Sequence, residues 1–175
     1  MLLGVPDLPG KGWKQLAQRD SRSVRSPLPL GRKVRYVAAQ RKFRQEEPPQ
    51  GLHVELLVFD GAADAERRIQ SFRTSYVRYP GVTTLVEREV EGIAVPGVDG
   101  PYLWERENVR GNHRGFARSI AGRVNNVALI VIGSADGEGW SWEQLATIAG
   151  LQASKIREHV GTEQRSGTDT AETQL

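Results

Sequence analysis

Hydrophobic and polar positions alternate with two different periods along this chain. Val127-Ala128-Leu129-Ile130-Val131-Ile132 is an unbroken apolar run, rich in β-branched residues and closed by Gly133. That is the pattern of a strand buried on both faces. His53 to Phe59 reads as a second strand, and Val82 to Glu91 as a third, with Val86 and Val90 on one face and Glu87, Glu89 and Glu91 on the other. Val34 to Arg44 suits helix or strand. It is read as a strand, because Glu46-Glu47-Pro48-Pro49-Gln50-Gly51 then makes a hairpin-type connection to the next run. Its many Arg and Lys side chains suit an edge strand, where charge discourages sheet-to-sheet aggregation.

Tyr102 to Glu107 and Arg114 to Ala121 complete the strands, joined through Asn108–His113. The expected register sets Glu107 opposite Arg114, Trp104 opposite Ala117, Tyr102 opposite Ser119 and Arg106 opposite Gly115. On the other face it sets Glu105 opposite Phe116 and Leu103 opposite Arg118. Large residues meet small ones and opposite charges lie near each other, as cross-strand pairing favours. A second hairpin through Gly122–Asn125 places Ala117, Ser119, Ala128, Ile130 and Ile132 on the Trp104 face. Phe116, Ile120, Val127, Leu129 and Val131 point the other way.

Two helices follow from the longer period. Asp60 opens the first, whose apolar stripe is Ala62, Ala65, Ile69, Phe72 and Tyr76, and Pro80-Gly81 ends it. Asp64 and Glu66 sit in its early turns and Arg73 and Arg78 near its end, which complements the helix dipole. The second begins at Ser141 and Gln144, a capping box in which each side chain serves an unpaired backbone N–H, with Trp140 stapled onto Leu145. Leu145, Ile148, Ala149, Ile156 and Val160 continue it and Gly161 is a natural stop. Gly150 at its centre costs roughly 1 kcal/mol relative to alanine unless another backbone packs there.

The expected fold is α+β, a mainly antiparallel sheet of about six strands sandwiched by two principal helices in the order ββα-ββ-ββα. Both sheet faces are apolar at the central strand, so both need cover. Either one helix lies on each face, or both share one face and a partner chain takes the other. Residues 1–33, punctuated by Pro6, Pro9, Pro27 and Pro29, are expected as an irregular segment. Residues 34–160 form a single domain and 161–175 a polar, disordered tail. His53–Phe59 also superposes without gaps on Asn126–Ile132, each run flanked by a strand before and a helix after; convergence on strand chemistry is the preferred explanation over duplication.

Composition removes several chemistries. With no cysteine among 175 residues there is no disulfide, thiolate metal site or cysteine nucleophile. No stretch approaches the roughly 18 apolar residues of a membrane helix. His53, His113 and His159 fall at no metal-ligating spacing. The glycine-bearing loop Ser134–Gly139 lacks a phosphate-binding signature, and its Asp136 and Glu138 would repel one. Gly133-Ser134-Ala135 lacks the frame of a nucleophile elbow. Glu87, Glu89 and Glu91 read as a solvated or salt-bridged strand face rather than an acid–base pair, and Arg114 and Arg118 as partners of Glu105 and Glu107. No enzyme, cofactor or metal is expected.

Charge is unevenly spread. Between Lys11 and Arg44 there are 11 Lys and Arg against one acidic residue, Asp20, while from Gly51 onward 13 basic residues face 17 acidic ones. That polarity points to an anionic partner. Part of it reflects composition, since Arg outnumbers Lys by 19 to 5, the imprint of a GC-rich genome. Trp13, Tyr36 and Phe43 are interspersed, so the cations could neutralise phosphates while the rings stack on bases. The binding candidates are Arg35, Tyr36, Arg41, Lys42 and Phe43. No recognition motif supports nucleic acid, and the same residues suit an acidic membrane surface.

Leu2-Leu3, Asp7-Leu8-Pro9-Gly10 and Trp13, with Arg123-Val124-Asn125-Asn126 ahead of the apolar strand and final helix, give the chain a family likeness. It resembles a group of small actinobacterial exported domains that includes lipoproteins and the extracellular sensor domains of receptor Ser/Thr kinases. The resemblance implies an α/β/α sandwich akin to photosystem II accessory proteins, a ligand-binding or scaffold role without catalysis, and an extracytoplasmic site. The chain departs from that group in lacking a signal peptide and a lipobox cysteine. As written it reads as cytoplasmic, and as extracytoplasmic if the true start lies upstream of Met1. Two functional expectations result. One is a binding, sensor or accessory domain that takes a small ligand or protein in a groove beside the sheet. The other is an anion-binding module using residues 11–44 on nucleic acid or acidic membrane.

Overall fold

The computed structural model describes residues 2–27, 33–74, 83–137 and 139–168. All six expected strands form, and a seventh precedes them. The elements are β1 (Lys14–Pro27), β2 (Lys33–Gln45), β3 (Gln50–Phe59), α1 (Ala62–Thr74), β4 (Thr83–Val90), β5 (Asp99–Arg110), β6 (His113–Val124), β7 (Val127–Asp136) and α2 (Trp142–Thr168). They build an α+β fold around one antiparallel sheet of order β1-β2-β3-β7-β6-β5-β4. The apolar run Val127–Ile132 lies at its centre as β7, between β3 and β6.

The added strand corrects two expectations. Residues 14–27 are extended rather than irregular, so β2 is an inner strand and β1 is the edge. No apolar alternation marks β1 in the sequence; its residues 14–19 are exposed and a long run of backbone pairing with β2 holds the strand. Two register shifts, between Gln15 and Ala17 and between Ser21 and Val24, interrupt that pairing. Bulges and charge on an outer strand are devices that discourage further strand addition.

The β5–β6 register is shifted by two residues from expectation. Trp104 lies opposite Ser119, Arg106 opposite Ala117, Glu107 opposite Phe116 and Glu105 opposite Arg118. The cause is a tighter turn. Gly111 takes a positive φ of 59°, so Gly111-Asn112 suffices as a two-residue hairpin loop. Asn108 to Arg110 and His113 then join the strands. Because side chains alternate with period two, a shift of two leaves every residue on its expected face. The β6–β7 turn is likewise two residues, Asn125-Asn126, with Asn125 at φ 54°.

One helix covers each face. On the α2 face, Leu145, Ile148, Ala149 and Ile156 pack with Val54, Leu56, Ile120, Leu129 and Val131. The N-terminal residues add a strap to that face, with Leu3, Leu8 and Trp13 buried in one cluster with Phe43 and Leu52, and the loop between β4 and β5 adds Val95 and Val98. Gln152, fully buried on α2, accepts a hydrogen bond from the Leu3 N–H at 2.9 Å, and Lys155 pairs with Asp7 at 2.8 Å. On the other face Ala65 and Ile69 of α1 pack on Leu57, Phe59, Ala121, Ala128 and Ile130.

The start of α2 is built as its sequence requires. Gln144 N–H donates to Ser141 Oγ at 3.1 Å, and Ser141 N–H donates to the Gln144 side-chain oxygen at 2.9 Å. Trp140, buried with Leu145, donates its indole N–H to the Gly51 carbonyl at 3.0 Å. Gly150 is explained by Pro96, whose carbonyl oxygen would stand 3.3 Å from an added Cβ. The helix runs through Gly161 to Thr168, so it occupies part of the segment expected as a tail. Tyr76, Arg78 and Pro80-Gly81, expected to finish α1, lie outside the described residues.

The repeat-like superposition of β3 on β7 corresponds to a local two-fold axis through the pair Leu56 and Leu129. Such an axis, normal to the sheet, would carry α1 onto the same face as α2. The helices lie on opposite faces, which supports convergence. Among the described residues no helix is long and apolar enough to cross a membrane.

Candidate functional site

The five residues singled out from sequence alternate across β2 and do not form one site. Arg41 and Phe43 face α2 and the strap. Phe43 is core, and Arg41 donates to the Leu3 carbonyl at 2.7 Å, tying down the strap. Tyr36 lies on the α1 face with its ring 5.4 Å from that of Phe59. Arg35 and Lys42 are exposed, on opposite faces. Trp13 is buried too, 5.4 Å from Trp140 and bonded to the Pro9 carbonyl. The rings expected to stack on bases are therefore occupied inside the protein.

A different group emerges once β1 is in place. Lys14, Arg19, Lys42 and Arg44 all lie on the α1 face of the β1–β2 ribbon, because Lys14 is opposite Arg44, Ala17 opposite Lys42 and Arg19 opposite Gln40. All four are exposed. Lys14 bridges Glu46 at 3.1 Å; among the described residues no carboxylate pairs with Arg19, Lys42 or Arg44. Sequence reasoning missed Arg19 and Arg44 because their grouping depends on a register with a strand it did not foresee.

The ribbon differs from the rest of the sheet in how it sets charge. Across β4, β5 and β6, Glu87 stands opposite Arg106, Arg88 opposite Glu105, and Glu105 opposite Arg118. All three pairs close, at 3.0, 3.1 and 3.0 Å. Arg114 also binds Glu107, and Arg118 donates to the Trp140 carbonyl. Burial pushes the Glu105 carboxyl upward, but Arg118 and Arg88 outweigh it and hold its pKa below the usual carboxylate value. The ribbon does the opposite: its register sets Lys14 against Arg44, like against like. Such pairs destabilise a sheet by roughly 0.2–1 kcal/mol each.

A cleft of about 400 Å³, lined in part by Leu16 and Arg44, adjoins these cations. Leu16, Arg44, Gly51, Ser134, Asp136, Ala117 and Asn108 are among the residues that line it, from β1 across to β5. Leu16 is the extra residue of the first β1 bulge and is 61% exposed. Beside the cleft, His53 lies opposite Lys42 with its Nε2 buried and without a hydrogen-bond partner. Burial lowers its pKa, and the nearby Lys42 charge lowers it further against an opposing pull from Glu55. Among the described residues no group of three or more His, Asp or Glu side chains is placed to hold a metal ion. The arrangement can attract and hold a negatively charged partner. Comparison with protein-family models gave no match, and neither the curated proteins nor the solved structures gave one.

Proposed function

We propose that this chain is a non-catalytic binding domain whose partner is anionic and docks on the β1–β2 ribbon. The supporting observation is the contrast in charge placement. Arg67, Arg88, Arg106, Arg114, Arg118, Arg123 and Lys155 each have a carboxylate partner elsewhere, while the ribbon sets Lys14 against Arg44 and, among the described residues, no carboxylate pairs with Arg19, Lys42 or Arg44. A cost in folding stability at one edge is offset when an external anion completes the pairing. A sensor or accessory role, as the resemblance implies, needs such a surface and no reaction centre.

Heparin serves as the generic polyanion for the test. The chain binds it at low salt, binding weakens steeply as salt rises, and Arg44→Glu weakens it more than the charge-matched Arg157→Glu on α2. Equal effects of the two substitutions, or no heparin binding at low salt, would overturn the proposal.

A further inference from the structure

We infer that the anionic partner is an acidic bilayer surface, which the α1 face of the ribbon contacts with Leu16 entering the headgroup region. This rests on the reading of the ribbon as the anion-binding element. Polyanions divide by what they ask of a protein beside positive charge. Single-stranded nucleic acid is held by exposed aromatic platforms, and here Trp13 and Phe43 are core while Tyr36 packs on Phe59. A small anion inside the cleft would share it with Asp136, which lines it. A bilayer asks for cations spread over one face around an exposed apolar side chain, and the ribbon supplies that. Lys14, Arg19, Lys42 and Arg44 share a face. Leu16, the most exposed large hydrophobic residue among those described, is pushed out of the strand pairing by a bulge between Gln15 and Ala17 and lines a cleft with Arg44. An apolar side chain left in water amid four cations has no packing role in the isolated fold. At an acidic membrane it has one.

The experiment is vesicle sedimentation with the full chain, using phosphatidylcholine vesicles with and without phosphatidylglycerol, alongside heparin and single- and double-stranded oligonucleotides. The expected result is salt-sensitive binding to the vesicles that contain phosphatidylglycerol and none to phosphatidylcholine alone, with heparin also bound at low salt. Leu16→Ser lowers that binding on the order of tenfold and leaves heparin binding unchanged, whereas Arg44→Glu lowers both. Circular dichroism confirms that each variant is folded; both positions are exposed, and Leu16→Ala serves if the serine variant is not. Heparin or oligonucleotide binding without vesicle binding would overturn the membrane inference and leave the anion-binding reading standing. Vesicle binding indifferent to Leu16 would overturn the insertion. Binding to none of the probes overturns both readings.

Discussion

Substituting Arg44 by glutamate separates a surface built for a partner from one built for stability. In the folded chain Arg44 lies opposite Lys14 on β1, with the same sign of charge, and pairs with no carboxylate among the described residues. Lys14 already reaches Glu46 at 3.1 Å with its side chain 68% exposed. Arg44→Glu removes one like-charge apposition and creates an opposite-charge pair. Cross-strand charge pairs are each worth roughly 0.2–1 kcal/mol, and the exposure of Lys14 puts both contributions at the low end. The net expectation is a stabilisation of about 0.5–1 kcal/mol, or roughly 1–4 °C in Tm for a domain of this size. Urea or thermal denaturation at low salt measures it, and the gain should shrink as salt screens the charges. The same variant should bind heparin more weakly. A fold made more stable while its binding is impaired is the signature of charge retained for a partner. Destabilisation by Arg44→Glu, or stabilisation with binding intact, would refute the reasoning.

Other positions test the structure itself. Glu105 titrates below its ordinary value of 4.5 in the folded chain, so its stabilisation is present above that pH and is lost as pH falls through the folded pKa. Glu105→Gln should therefore cost roughly 1–3 kcal/mol at neutral pH, with the gap from the parent narrowing in acid denaturation series. The folded-state pKa of His53 lies below 6.5, so the parent loses stability as pH drops through that value. His53→Leu removes the unpartnered Nε2, and its urea midpoint should match or exceed the parent's and vary less across pH 6.5; a midpoint well below the parent's at both ends would contradict this. Gly133→Ala should cost about 1–3 kcal/mol, since the new Cβ would stand 2.6 Å from the Trp140 ring, and indole fluorescence would report the displaced ring. Ser141→Ala and Gln144→Ala should each cost about 1 kcal/mol, and the double variant less than their sum, because each side chain serves the other's backbone.

What the sequence disclosed follows from where burial was regular. The β3 and β7 runs, the capping box at Ser141, and the face assignments of Trp104, Ile130 and Leu129 are written in apolar periodicity or local hydrogen-bonding chemistry, and the fold has them. The β5–β6 register was misjudged by two because a six-residue loop and the Gly111-Asn112 turn place the same side chains on the same faces; alternation alone cannot choose between them. Strand β1 was illegible for a different reason. Its residues 14–19 are all exposed, so there only its pairing with β2 makes it a strand, and pairing leaves no mark in composition. The strap was hidden too, although Leu3, Leu8 and Trp13 are its anchors: proline-broken apolar residues have no period to detect. The candidate surface inherited both gaps. Tyr36 and Phe43 were drawn to it by type and belong to the interior, whereas Arg19 and Arg44 join Lys42 only through the register.

The order of strands also decides how this chain can be synthesised and folded. Strand β7 is the last to leave the ribosome, yet it occupies the middle of the sheet, between β3 and β6. Until residues 127–136 are made, nothing joins β1-β2-β3 to β4-β5-β6, and β3 and β6 each lack the neighbour that they have in the finished sheet. The strap closes later still, since the Leu3 N–H waits for Gln152, 149 residues downstream. Such distant contacts slow folding and prolong the exposure of unpaired edges. Truncation anywhere before the end of β7 should therefore yield aggregates rather than a smaller stable domain.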